Sequence, residues 1–255
     1  MYPQTHVFFA QKLFGFLSDA LVLGSVFPDI AAGLYADRNE SHGRGAEMLL
    51  FLQENAELNE FVMGVITHGI DPRGLDYYGD EKFLSYERGY CFEKGRLIVE
   101  ETIEACNLPS SIGWWKSHNI IEMGIELFIN NSYCSSALES AFGNEVLVSQ
   151  ISEYMARFYT TEPNTFQNRI CNFFNYIEIS KITAESLAAR YDLQMYTRHK
   201  IHIDIERVTR LIYKAGELIA EDFDRFFTHA LKNVNKSLSE LQSQRQVTTL
   251  RINLS

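Results

Sequence analysis

The residues of this chain best suited to chemistry are a dispersed set of histidines and acids in its first half: His6, Asp29, His42, His68 with Asp71, and His118 with Glu122. Four of the seven histidines fall within the first 118 positions, and two of these have a carboxylate three or four residues on. On a helix, the spacings His68-x-x-Asp71 and His118-x-x-x-Glu122 each place both side chains on one face. Imidazole nitrogens and carboxylate oxygens are the ligands of zinc, and of iron or manganese in its stead. The pattern therefore predicts a metal site. His68 and His118 carry that reading furthest, because each ends or lies within an apolar stretch where an unpaired imidazole is costly to bury. Taken singly, the others have plainer readings: His6 as a cap or core residue, Asp29 as an N-cap after a proline, His42 as a residue of a polar loop.

Composition narrows what such a site would act on. The chain has 255 residues and a formal charge of -10, from 23 basic against 33 acidic side chains, and no basic block. Phosphate repulsion then disfavours long nucleic acid, whereas a small anion held by metal ions remains compatible. With 46% hydrophobic residues, 5 Pro and 15 Gly, the chain is expected to fold around a large core. No run of apolar residues is long enough to predict a membrane span. The first 24 residues are apolar but interrupted by His6, Gln11, Lys12 and Asp19, so they read as a helix of the mature fold and not as an export signal. Cys91, Cys106, Cys134 and Cys171 show no C-x-x-C spacing and read as buried thiols of a reducing compartment, with one or two disulfides as the alternative. A cytoplasmic location is the expectation. Glycine-rich phosphate loops, nucleophile elbows and H-E-x-x-H helices are absent, and Gly43-Arg-Gly45 is too short to cradle a phosphate.

Apolar residues at helical spacing recur almost throughout, so the elements that must position these side chains are helices. The first is expected over 7–23. Gly24 to Asp29 should break it, with Pro28 making a turn and Asp29 held near the N-terminus of a short following helix. Further helices are expected over 45–53 and 58–68, the latter ended by Pro72. A loop over 71–80, a long helix over 83–105 and a helix over 115–129 follow. The second half predicts helices over 136–158, 165–179 and, as the longest, 201–231. Its polar end, 236–255, reads as a tail, with a short strand over 250–254. The fold class is thus all-α: a multi-helix bundle forming one domain over 1–235, with the metal-site half in 1–130 and a helical half in 131–235. A separate module beginning at 131 is the alternative.

Five elements in order, T-H-x-x-x-A (Thr5, His6, Ala10), G-S-x-x-P-D (Gly24 to Asp29), a lone His42, G-x-x-x-H (Gly64, His68) and H-x-x-x-E (His118, Glu122), resemble the zinc-dependent phospholipase C family of bacteria. The resemblance covers residues 1–130. It implies an all-helical fold, three zinc ions and hydrolysis of phosphodiesters, typically in phospholipids, with a relation in fold to zinc nucleases that cut single strands. Under it, Asp29 resembles the bridging carboxylate that also serves as base toward the attacking water. His42 and His68 resemble ligands of one metal, and His118 and Glu122 those of another. His6 resembles the histidine of an outlying metal, completed in secreted members by the processed amino terminus. The chain departs from the family pattern in three places. Pro72 stands where an H-x-x-x-D acid is usual, displacing the acid to Asp71. Where a further His would follow, the chain has Tyr78 flanked by Asp76 and Asp80, either of which can replace it. It also opens Met1-Tyr2-Pro3.

The resemblance accordingly implies a metal-dependent phosphoric ester hydrolase of the phospholipase C type, with Asp29 as catalytic base. Its metal ligands would be His6, Asp29, His42, His68, Asp71, His118 and Glu122, around two or three zinc ions. A small phosphate ester or phospholipid head group is expected over nucleic acid, with Arg44 and Lys116 as the nearest cations in sequence. The competing expectation is a non-catalytic helical interaction protein that retains a partial metal site and uses 201–231 and the tail as its contact surface.

Overall fold

The computed structural model describes residues 1–33, 36–53, 55–176 and 182–252. Among these the chain is all-α, 78% helical, with fourteen helices and no strand. The apolar N-terminal stretch forms two helices instead of one. Helix α1 (Pro3–Phe14) closes on Gly15, whose φ of 78° lies in the left-handed region that glycine adopts without strain. Helix α2 (Asp19–Ala31) then starts afresh under Ser18, whose side chain accepts from the Leu21 amide.

Helix α2 also runs straight through the Gly24–Asp29 segment that should have broken it. Pro28 falls in its last turns, and Asp29 therefore stands near the C-terminal end of a helix, not at the N-terminus of the next. Gly24 marks a contact here. Helix α5 (Asn59–His68) crosses α2 so closely that a Cβ on Gly24 would lie 1.9 Å from the Phe61 carbonyl oxygen, and one on Gly64 would lie 2.4 Å from that of Leu21. Backbones can approach this far only where side chains are missing, and the crossing brings the ends of both helices together.

Between them lie α3 (Arg38–His42), opened by a reciprocal capping box of Asp37 and Glu40, and α4 (Gly45–Phe51). After α5 the chain turns back, and the Ile70 amide donates to the His42 carbonyl at 2.8 Å. The segment expected as a loop ends in a π-helical turn, Tyr77–Glu81, that buries Tyr78 and Asp80. The helix expected over 83–105 is interrupted. Helix α6 (Tyr90–Gly95), a 3-10 turn (Arg96–Ile98) and α7 (Val99–Ala105) follow a bend whose Gly89 backs onto Asp80, where a Cβ would meet the Asp80 nitrogen at 2.2 Å.

Helix α8 (Ser110–Ile129) runs through the interior, with Gly113 and residues 117–118 and 120–126 all buried. It packs against α1, α6 and α13 (Ile205–Ile219). The stretch expected as one helix over 136–158 is two, α9 (Ser132–Gly143) and α10 (Glu145–Phe158), because Asn144 leaves helical geometry and caps the second through the Leu147 amide. Helices α11 (Pro163–Tyr176), α12 (Ala184–His199) and α14 (Phe223–Ile252) complete the chain. The expected longest helix is thus divided after Ile219, and the polar tail continues α14. Residues 250–252 of the expected strand are helical; its last residues, and the end of the helix expected over 165–179, lie outside the described residues.

The second half closes on the first: α9 packs on α2, and Gln4 donates to Ser135 while Ser140 and Asn144 donate to Asp19. Cys91, Cys106 and Cys134 are buried free thiols, whereas Cys171 is exposed. No helix among the described residues is long and apolar enough to cross a membrane.

Candidate metal centre

Four helix ends and one turn converge on a buried cluster. Helix α1 supplies His6 from its first turns, and its start is fixed from afar by Glu126 of α8. That carboxylate accepts from the Gln4 amide (3.0 Å), the Thr5 amide (2.8 Å) and the Thr5 hydroxyl (2.7 Å), an anion meeting the free N–H groups of a helix N-terminus. Helix α2 supplies Asp29, α3 ends on His42, and α5 ends on His68.

The two helix-terminal histidines have their ring orientation set by outer partners. His68 Nδ1 lies 2.7 Å from the Ser25 carbonyl, which can only accept, so the proton sits on Nδ1 and Nε2 keeps its lone pair. The Ser41 hydroxyl donates to the Asp37 carbonyl and is therefore free to accept from His42 Nδ1 at 2.8 Å, which likewise leaves His42 Nε2 basic. The His6 and His68 rings stack with centroids 3.5 Å apart.

Asp76 joins these groups. Its Oδ1 lies 2.9 Å from the Met1 amino nitrogen and 3.4 Å from His6 Nε2, and its Oδ2 lies 3.4 Å from His68 Nε2 and 3.5 Å from His42 Nε2. Asp29 Oδ1 stands 3.5 Å from His42 Nε2 and 3.9 Å from His68 Nε2. Two ligand atoms each about 2.1 Å from one tetrahedral ion sit about 3.4 Å apart, so most of these separations suit a shared ion better than a hydrogen bond. Two trios follow, His6, His68 and Asp76, and Asp29, His42 and His68, each with ligand atoms within 4.8 Å of one another. A third trio, Asp80, His118 and Glu122, lies beside them. His118 and Glu122 share a face of α8, and Asp80 enters from the π-helical turn. Phe92 stacks on the His118 ring at 4.1 Å, and Arg38 donates to Asp80 Oδ2.

The groups are orphaned in a way that divalent ions would satisfy. Both nitrogens of His6, Nε2 of His68, Nδ1 of His118 and Oδ1 of Asp80 are buried without a hydrogen-bond partner, a costly arrangement unless something is bound there. Burial pushes His6 and His42 below the ordinary histidine range and His118 down to about 4, so these rings stay neutral and able to bind metal. Burial, with the Glu122 and Asp76 charges, pushes Asp80 up to about 6. Burial would also raise Asp76, but the Met1 ammonium, followed by His68, outweighs it and holds that carboxyl well below its usual range. Asp29 is held low in the same sense, with His68 the first cause acting against burial. It is the member most open to solvent, with 32% of its side chain exposed, so it marks the mouth of the cluster.

Of the residues expected as ligands, His6, Asp29, His42, His68, His118 and Glu122 all fall in the three trios, and Asp71 does not. Asp71 is exposed, because α5 stops at His68 and the helical-face relation ends with it. Asp76 and Asp80 take up the acid positions instead. Arg44 is engaged elsewhere, paired with Glu47 and set 4.3 Å from the Phe158 ring, and Lys116 lies near Cys106 and Arg198. The side chain that brings a positive charge to Asp80 is Arg38. Sequence reasoning passed over it and Glu126, although the capping box that opens α3 places Arg38 one turn before His42, and Glu126 extends the His118, Glu122 face by one more turn. No family model, curated protein or solved structure matches this chain.

Proposed function

We propose that the protein is a metal-dependent phosphoric ester hydrolase of the phospholipase C type, using two or three zinc ions to cleave a phosphodiester in a small ester or lipid head group. The observation that carries this reading is the convergence of four histidines and four acids into three trios, in which both His6 nitrogens, His68 Nε2, His118 Nδ1 and Asp80 Oδ1 are buried without a hydrogen-bond partner. Bound there, such ions would lower the pKa of a water and neutralise the phosphate. The side chains supply the rest. Asp29, ionised at the solvent-facing edge, is placed to orient the attacking water and take its proton. The Ser25 carbonyl and Ser41 hydroxyl hold the His68 and His42 rings in the tautomer that leaves Nε2 free. Arg38, one-third exposed beside Asp80, is the cation best placed to meet a phosphate oxygen. The donor set favours this over a non-catalytic remnant, in which Asp76 and Asp80 would point away.

The test is a screen of generic phosphodiester and phosphomonoester substrates with added zinc, comparing the wild-type protein with Asp29→Asn. The wild type should turn over a diester, and the variant should lose about 10²–10⁴ of the rate, the usual worth of a positioned general base. No turnover by the wild type would overturn the activity, and equal rates would remove Asp29 from its role.

A further inference from the structure

In a chain of net charge -10, the cations along α13 face acids: Arg207 lies beside Glu104, Arg210 beside Glu206 and Lys214 beside Glu101. Those at the end of α12 do not. Arg198, His199 and Lys200 are exposed there, and Lys116 of α8 lies near Arg198. The charges that act on His199 are those of Lys116 and Arg198, and no carboxylate pairs with any of the four among the described residues. Packing assembles this group. The Asp204 amide donates to the Ala105 carbonyl at 2.7 Å and the Asn107 side chain to the His202 carbonyl at 2.9 Å, which ties the segment after α12 to the segment before α8. Like charges gathered without a counter-charge repel one another in the free protein, and an anionic partner relieves that repulsion.

Amphipathic aromatics stand among these cations. Tyr196 is half-exposed, with the Lys200 ammonium 5.2 Å from its ring centroid and His202 stacked on it at 4.5 Å. Leu193, also half-exposed, shares a helical stripe with Tyr196 and Lys200. Trp115, next to Lys116, is half-exposed too, and its indole nitrogen makes no hydrogen bond among the described residues. Trp114, by contrast, donates to the Phe92 carbonyl and lies under Arg96. Tryptophan and tyrosine beside cations are the chemistry of a bilayer interface, where the ring sits at head-group level and the cation meets phosphate. The face also adjoins the metal centre. Trp115 lies edge-on to His118, with ring centroids 5.7 Å apart, and Arg198 acts on Arg169, which donates to the Ile30 and Ala32 carbonyls at the end of the helix that carries Asp29.

We propose that this face docks the protein on an anionic lipid bilayer, with Lys116, Arg198, His199 and Lys200 toward the head-group phosphates and Trp115 and Tyr196 in the interface. The acidic remainder of the surface is repelled by such a bilayer, so the net charge that disfavours other approaches also fixes this orientation. The docking rests on the lipid head-group reading proposed above and adds to it the surface on which the lipid is presented.

The experiment is sedimentation of the full-length protein with vesicles of phosphatidylcholine alone or mixed with phosphatidylglycerol, with chelator present so that no divalent ion bridges protein and lipid. Binding to the mixed vesicles, weakening as salt rises, and none to the neutral ones is the expected result. Arg198→Gln with Lys200→Gln should lower partitioning about thirtyfold, each cation near an anionic surface being worth about fivefold. Arg210→Gln with Lys236→Gln removes the same charge from cations that face Glu206 and Glu240, and should leave partitioning nearly unchanged. Tryptophan emission should move to shorter wavelength on the mixed vesicles, and Trp115→Phe should abolish that shift. Equal binding to neutral vesicles, equal loss in the two double variants, a shift that survives Trp115→Phe, or tighter binding to polyglutamate or a single-stranded oligonucleotide would overturn the docking face. Turnover of a soluble diester is read separately: turnover without vesicle binding would overturn the docking alone, and vesicle binding without turnover the hydrolase reading alone.

Discussion

Asp76→Asn is the most informative substitution. Asp76 places one oxygen against His6 and the Met1 nitrogen and the other against His42 and His68, so one side chain touches histidines of both trios that share His68. Replacing the carboxylate by an amide removes a charge from each at once and leaves the Asp80, His118 and Glu122 pocket intact. Metal stoichiometry should fall by up to two ions per chain, those of the two trios that share His68. The stability consequence follows by linkage. An ion present at a hundredfold above its dissociation constant adds about 2.7 kcal/mol, so two such ions add about 5 kcal/mol. For a chain of this size that is about 10–20 °C of melting temperature. The assay is thermal unfolding with and without metal, paired with elemental analysis, on Asp76→Asn, Asp71→Asn and the wild type. The metal-induced rise should shrink by about that amount in Asp76→Asn and be unchanged in Asp71→Asn. Retention of all ions by Asp76→Asn, or their loss in Asp71→Asn, would refute the assignment of the shared acid.

Three further outcomes follow from other parts of the fold. Gly64→Ala should destabilise the protein by about 1–3 kcal/mol or more in urea titration, since its Cβ would press on the Leu21 carbonyl, and it should weaken metal binding because α5 ends on His68. Glu126→Ala leaves the buried Gln4 and Thr5 amides without their acceptor and should cost about 3 kcal/mol, with Glu126→Gln milder because one acceptor oxygen remains. Denaturation curves in which the Ala and Gln variants coincide would contradict that account. Burial pushes the Cys106 and Cys134 thiols up to about 12, so at pH 8 they stay protonated as well as enclosed, and native protein should titrate a single reactive thiol, Cys171. A second thiol reacting as fast would show that the core opens.

The all-helical class and six of the eight residues that converge in the three trios were legible in the sequence, because helical periodicity is a local property and because histidines in apolar helices need partners wherever they lie. His118 and Glu122 are the clearest case: both sit well inside α8, so their spacing alone puts them on one face. Asp71 shows where local reasoning stops. Its distance from His68 is helical, but the helix ends between them, and helix ends depend on what the next segment packs against. The same limit explains Gly24 and Pro28, read as breakers and found within α2, where the glycine admits the α5 backbone and tertiary contact overrides a weak local preference. Which acids join the buried histidines, Asp76 and Asp80 and not Asp71, and which arginine lies beside them, Arg38 at Asp80 and not Arg44, were decided only by the return of the chain through the turn after α5. Burying a carboxylate is favourable only where histidines, an ammonium or an arginine from distant segments already wait, and that meeting exists only once the helices have packed.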